Sequence, residues 1–556
     1  MRAKFPLVIA VLVALTACAG LPGAPGAAED AAKTPEAWLA DADAALERSE
    51  LPEAARAYRK AAEASEDEAV AEQATRAAFE HSQMREAALA ADRWLVLNAT
   101  SEQARRYAGV AALELHRLDV AEEHFAQLIA TAYISPAAGF LALLPVVADH
   151  GTAPDVTELF RRLVARHPEV AEGHYVLGSA ALRSENFGLA TSSARRATEI
   201  AKYWAPARML LARALIASGD EQAGLDAARD LVMAPDADVA THLEYALLLA
   251  TTERDEEARA MLTPYASGTT VIPGAVRGLG VLELQRGDLD AAARRFEDLL
   301  STGAQSYEAL YFLGNIADRR DETERALRYY SRVSGGEYAL AAQGRVARIK
   351  AEKSGLDAGL THLEDFARGH PQRGPDVVAA RAGLASSLGD ARRALAILDA
   401  GLAQYPDSLD LRMARVFAYE RAGNSDAAIR DLRQLLRERP GDAVVQNALG
   451  YTLADRRRSL DEAAMLVAAA LEQTPDSAAV IDSMGWVLFR QGRLQEALTH
   501  LQRARELGDD PEIDLHLGEV QWALGEQAAA RQTWRQGLER RPDDARLKER
   551  LERAGQ

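Results

Sequence analysis

Asn447-Ala-Leu-Gly450-Tyr-Thr-Leu453 and Asp482-Ser-Met-Gly485-Trp-Val-Leu488 are one phrase written twice, 35 residues apart. Each runs into a polar turn, then Leu-x-Glu-Ala (Leu460 to Ala463, Leu494 to Ala497), then a second apolar helical pattern. Proline marks one place in the unit: Pro406, Pro440, Pro475 and Pro542 are separated by 34, 35 and 67 residues, the last being two periods. Two antiparallel helices joined by a short turn cannot bury their apolar faces alone, so each hairpin needs the next. Gly450, Gly485 and Gly518 on the first helix let it approach its partner, and Ala428, Ala463, Ala497 and Ala530 do the same from the second. Proline at the unit's end stops one helix and starts the next.

This pattern resembles the tetratricopeptide repeat, and the resemblance implies an all-α, right-handed solenoid of stacked helix-turn-helix units. Followed in both directions, the period places repeat starts near Pro35, Glu68, Glu102, Ala137, Ala171, Ala205, Val239, Pro273, Tyr307 and Leu340, then Pro375, Leu409, Ala443, Ala478 and Pro511. These are fifteen repeats at intervals of 33 to 35 residues. Residues 375–542 match the pattern well, and residues 35–374 are more divergent. Tyr175-Val-Leu-Gly178 and Tyr311-Phe-Leu-Gly314 fall in phase, whereas the first two repeats are Ala-rich and lack the glycine. The repeat from Leu340 carries Gly355 and Gly359 inside its pattern and is predicted to be distorted. Pro145 should kink or end its helix. Residues 543–556 are strongly charged and read as the capping helix a solenoid needs.

The first 17 residues read as a signal peptide: Arg2 and Lys4 precede an apolar run from Phe5 to Leu15, too short to span a bilayer as a helix. Leu15-Thr16-Ala17-Cys18 resembles a bacterial lipobox, which implies cleavage before Cys18 and lipidation of its sulfur. Cys18 is the only cysteine, so no intramolecular disulfide is available. Residues 18–34, rich in Gly, Pro and Ala, read as a lipidated flexible tether. Ala19 after the cysteine is compatible with sorting to the outer membrane, facing the periplasm. Several acyl chains would hold the protein stably, at about 0.8 kcal/mol per buried methylene.

The formal charge of −18 becomes −20 without the leader, which argues against nonspecific nucleic-acid binding. There is no P-loop, no Gly-x-Ser-x-Gly elbow and no His-Glu-x-x-His zinc helix. His116 and His124 stand without a companion carboxylate pattern in sequence and read as ordinary histidines. No cofactor is implied, and the expectation is a protein that is not an enzyme.

In the register that the tetratricopeptide resemblance implies, the first helix of each repeat lines a concave groove. Groove positions in the last repeats are Met413, Phe417, Asn447, Tyr451, Asp482, Trp486, Phe489, Arg490, Glu519 and Trp522. Aromatics beside polar groups suit an extended peptide. Asn447 has no matching Asn or Lys one repeat away, so a carboxylate clamp for a chaperone tail is not expected. The leader, the lipobox and an all-repeat chain together resemble the large tetratricopeptide lipoproteins of Gram-negative bacteria. One member of that group is the adaptor of a periplasmic carboxyl-terminal processing protease that acts on cell-wall hydrolases. The resemblance implies a scaffold for protein partners, with a scaffold for outer-membrane or envelope assembly as the alternative.

Overall fold

The computed structural model describes residues 33–235, 237–267 and 271–555, and within them every regular element is a helix. Met1 to Ala32, with Cys18, lie outside the described residues. Helical hairpins follow one another from Pro35–Glu47 with Leu51–Ala64 to Pro511–Ala523 with Gln527–Arg540, and Ala545–Gly555 closes the chain. First helices begin at 136, 306, 339 and 374, one residue before the expected starts, and elsewhere on them.

Local chemistry explains where the helices start and turn. First helices are capped by short polar side chains: Ser101 accepts from the Ala104 amide at 3.2 Å, and Asp442 from the Val444 and Val445 amides at 3.0 and 3.2 Å. The turn between the two helices of a repeat passes through a left-handed residue, either glycine (Gly219, Gly389, Gly423) or not (Ser49, His116, Glu185), and in repeat 13 through two, Arg457 and Ser459. In the first repeat Glu50 N–H reaches the Ala45 carbonyl at 2.9 Å and Ser49 N–H the Leu46 carbonyl at 2.8 Å, the paired bonds of a Schellman cap.

The small residues sit where the helices cross. A Cβ on Gly485 would meet Leu501 Cγ at 2.6 Å and the Ala497 carbonyl at 3.4 Å; on Gly450 it would meet Val467 Cγ2 at 2.5 Å and the Ala463 carbonyl at 3.0 Å. Ala428, Ala463, Ala497 and Ala530 are fully buried. Gly485→Leu is therefore expected to cost about 1–3 kcal/mol by overpacking. Protection from hydrogen exchange should fall in repeats 13 to 15 and persist in repeats 5 to 9, because each unit leans chiefly on its neighbours. Uniform loosening of the whole chain would contradict this crossing geometry.

Apolar packing is a succession of local clusters, such as Val110 to Ala180, Met209 to Ile316 and Met413 to Val487. The expected irregularities have physical forms. Pro145 lies in the last turn of Pro136–Val147, which ends two residues later. In repeat 9 the second helix shrinks to eight residues, Thr323–Tyr330, and the next first helix lengthens to 16, Ala339–Ser354. Gly355 then turns the chain at φ 91°, and Gly359 packs where a Cβ would meet the Ala347 carbonyl at 2.5 Å.

The superhelix returns upon itself. Intra-repeat turns of repeats 1 to 5 touch the inter-repeat turns of repeats 11 to 14, about 290 to 350 residues away. Leu51 N–H donates to Gln404 Oε1 at 3.3 Å and Gln83 Nε2 to the Gln404 carbonyl at 2.6 Å. Arg85 pairs with Asp407 at 3.0 Å. Further along, Phe187 N–H donates to Asp476 Oδ2 at 2.9 Å, and Asp476 N–H to the Glu185 carbonyl at 3.1 Å. The seam is made of polar turns rather than apolar helix faces.

Candidate interaction surfaces

First helices of successive repeats touch one another in repeats 4 to 8, 10 to 12 and 13 to 15, whereas second helices touch one another in repeats 1 to 2 and 3 to 4, which puts the first helices on the inside of the curve beyond repeat 4. The C-terminal inner face is occupied by its own side chains. Trp486, 6% exposed, stacks on His516 with centroids 4.0 Å apart and planes at 20°. Arg490 lies 4.2 Å from the Trp486 ring and reaches Asp455 Oδ1 at 3.3 Å. His516 Nδ1 meets the Asp482 carboxylate at 2.9 Å, and both residues are buried. Burial pulls the His516 pKa down, but the Asp482 charge and hydrogen bond outweigh it, so the imidazole is held above the ordinary histidine range.

Tyr451 donates to Glu512 at 2.9 Å, a bond from repeat 13 to repeat 15 that passes over the helix between them. Burial, then the Glu512 carboxylate, holds the phenol well above its usual range. Met413 belongs to the apolar core, and Phe489 packs against it 5.1 Å from Trp486. Trp522 sits 5.9 Å from Trp534, and Glu519 pairs with Arg550 of the final helix. Among the described residues, half-buried Asn447 has no partner for Oδ1, and the Trp486 indole N–H is likewise unpartnered. Phe417, 55% exposed, is the one of these groove positions that turns its ring to solvent. Of the expected groove residues, Tyr451, Asp482, Trp486, Phe489 and Arg490 are thus packed close to one another, whereas Trp522 and Glu519 turn to Trp534 and the final helix and Phe417 faces solvent.

The inner face opens in the middle of the chain. Leu182, Arg213, Ile216, Glu244, Leu247 and Thr251, from the first helices of repeats 5 to 7, line a hollow of about 480 Å³ with mainly apolar walls. Leu247 is 48% exposed within it. Sequence reasoning does not single out these residues, although a signal exists. Arg213 and Leu247 occupy the ninth position of their repeats, as Phe417, Tyr451 and Trp486 do.

A second hollow, about 400 Å³, lies in the seam between Phe79, His150 and Thr152 on one side and Pro375, Asp376 and Asp410 on the other. Beside it His116 Nδ1 meets Asp155 Oδ1 at 2.9 Å and its Nε2 meets the Pro440 carbonyl at 3.2 Å. Asp442 stands close enough to complete a three-ligand cation site. However, Arg439 bonds Asp442 at 2.7 Å and Asp155 at 3.4 Å, so a guanidinium already supplies the positive charge between the two carboxylates. His116 thus takes one carboxylate, Asp155, from the adjacent repeat, and the return of the superhelix adds Asp442, Arg439 and the Pro440 carbonyl.

Among the described residues no helix is long and apolar enough to cross a membrane. Tetratricopeptide repeat models match residues 374–450 and 488–552, and, for a second model of that repeat, 158–205 and 277–339. The TPR repeat-containing protein PA4667 of Pseudomonas aeruginosa is 33% identical over 213 residues, covering 38% of this chain and 36% of that protein. The match therefore spans about a third of the relative's length. Among solved structures, a thermophilic TPR protein of Thermus thermophilus is 21% identical over 32% of this chain and 98% of its own, with a TM-score of 0.30. Yeast Tom70 is 13% identical over 75% of this chain and 94% of its own, with a TM-score of 0.38. Tetratricopeptide repeats are thus matched over four stretches between residues 158 and 552, and with paired helices in the same register around them the fold is an α-solenoid of the tetratricopeptide type.

Proposed function

We propose that this protein is a noncatalytic scaffold, tethered to the outer membrane through Cys18, that holds protein partners on its inner face in the periplasm. The finer reading is an adaptor that brings a carboxyl-terminal processing protease to substrates such as cell-wall hydrolases. The open apolar hollow of repeats 5 to 7 carries the binding part of this reading, since an exposed leucine in a concave apolar wall offers area to a partner's side chains. The repeat family supports a protein-binding role, and the leader and lipobox support the tether. A tether confines the protein to a thin shell and raises the effective concentration of whatever it holds. Fifteen repeats also present more surface than one partner of standard size needs, at roughly 800 Å² per side.

Leu247→Glu places a charge in the hollow without touching a helix crossing. It is expected to weaken capture of a carboxyl-terminal processing protease at least tenfold, as read by binding to the purified enzyme, with the melting transition unchanged. Equal binding by folded Leu247→Glu would remove the hollow from the interface. Absence of any binding or stimulation by the wild type would replace the protease adaptor with the envelope-assembly scaffold. Cys18→Ser should shift the protein from the membrane fraction to the soluble fraction with its helical circular dichroism intact; retention in outer membranes would contradict the lipid tether.

A further inference from the structure

We infer that the seam between the two arms is a clasp, which opens and closes to control access to the inner face. The contact joins the turns of repeats 1 to 5 to those of repeats 11 to 14 by hydrogen bonds and ion pairs, with a hollow rather than an apolar core between them. An interface of that composition lacks the apolar burial that makes a domain contact permanent. Its buried charged link is Arg439, which is 6% exposed. Arg439 belongs to the C-terminal arm and is braced there by Asp442, while its Nη1 donates to the Glu114 carbonyl at 2.7 Å and its Nη2 to Asp155 in the other arm. One side chain thus ties the arms together at two points.

The same region contains its own opposition. Asp376 and Asp410 line the hollow from the C-terminal arm, with no hydrogen bond or ion pair to either carboxylate among the described residues. Glu114 faces Asp410 from the N-terminal arm, and Arg439 partly offsets that repulsion. Asp376 faces Asp410 and Arg373. Glu80 and Asp149 line the same hollow from the N-terminal arm, Asp407 is paired with Arg85, and His150 is bonded to Glu114. His116, in the latch, faces Asp155, Arg439 and Asp442.

Titration of these groups acts in one direction. Burial lowers the pKa of His116, but its hydrogen bond to Asp155 and that carboxylate's charge raise it further, so the net shift is upward. Asp155 is in the same arm and stays when the seam opens, but Nε2 faces the Pro440 carbonyl across the seam, and only the imidazolium donates to both acceptors. Closure is therefore favoured while His116 is protonated and loses that cross-seam bond as pH rises through its raised value. Desolvation, then like charge, raises both Asp376 and Asp410 although both keep contact with solvent, and only for Asp410 does that like charge, Glu114, stand across the seam. The closed state accordingly prefers Asp410 protonated and becomes less favourable as it ionises. Low pH tightens the clasp and higher pH loosens it.

Spin labels at exposed Glu102→Cys in repeat 3 and Arg437→Cys in repeat 12, on full-length protein carrying Cys18→Ser, report the arm-to-arm distance by pulsed dipolar spectroscopy. We expect one short distance at about pH 5.5 and a growing longer population at about pH 8.5. Arg439→Gln should raise the open-to-closed ratio about tenfold or more, the effect of losing a charged hydrogen bond across the seam. His116→Asn, from the opposite arm, preserves the left-handed turn that asparagine tolerates and should flatten the pH dependence. It decides the matter should Arg439→Gln disturb its own arm. A single distance distribution, unmoved by pH and by both substitutions, would show a rigid closed solenoid and overturn the clasp. The measurement uses no partner, so its outcome is independent of the scaffold reading.

Discussion

Asp482→Ala is expected to destabilise the C-terminal repeats by about 3–5 kcal/mol, the usual result of removing one member of a buried ion pair. Asp482 is 5% exposed and His516 2% exposed, and the imidazole is covered on one side by the Trp486 ring. Without the carboxylate the histidine must either carry a charge in a site that disfavours it or become neutral with Nδ1 unmatched. Urea unfolding followed by the tryptophan fluorescence of repeats 14 and 15 measures the loss. The pair also sets a pH dependence. Because the folded His516 pKa is raised, its contribution is complete below the unfolded value near 6.5 and is lost as pH rises through the folded one. The wild type should therefore lose C-terminal stability on the alkaline side, and Asp482→Ala should lack that slope. Replacing both residues by apolar ones of similar volume should recover most of the loss. A cost under about 1 kcal/mol for the single change would mean that the pair is not buried as described.

Phe125→Ala should cost a similar amount, about 3–5 kcal/mol, through the cavity left in repeat 3. The ring is completely buried and lies so close to Gly109 that a Cβ there would meet its Cζ at 2.9 Å. Phe125 thereby holds Leu118–Thr131 against Glu102–Glu114, the two helices whose joining turn carries His116. Hydrogen exchange should show the damage in repeats 2 to 4 and loosen the His116 turn with them. Val96→Ala, at a site 73% exposed, is the control and should change stability by no more than about 0.5 kcal/mol. Equal effects for the two substitutions would contradict the assigned packing.

The register was legible because two short-range features repeat with it. Gly450 and Gly485 sit opposite Ala463 and Ala497 wherever two helices cross, and that match fixes phase to within a residue. Curvature is a sum of small rotations over many repeats, and no local phrase contains it. Position nine therefore reads alike at Trp486 and Leu247, although His516 and Arg490 cover the first and the second is left open. Likewise His116 reads as an isolated histidine until the stacking of repeats 3 and 4 brings Asp155 to it and the superhelix brings the Pro440 carbonyl across more than 300 residues. Distortion after repeat 9 was legible from its glycines, but the shortening of Thr323–Tyr330 was not, since Tyr329 and Tyr330 continue a good helical pattern.

Site-specific photocross-linking in cells tests the scaffold most directly. A photoreactive phenylalanine analogue at Leu247 reports what lies against the inner hollow, and the same group at Val96 reports an exposed second helix. If the inner face holds partners, Leu247 should yield a discrete adduct with an envelope protein, identifiable by mass spectrometry as a processing protease or its substrate, and Val96 should not. No adduct at Leu247, or the same adducts at both positions, would contradict a partner seated on the inner face.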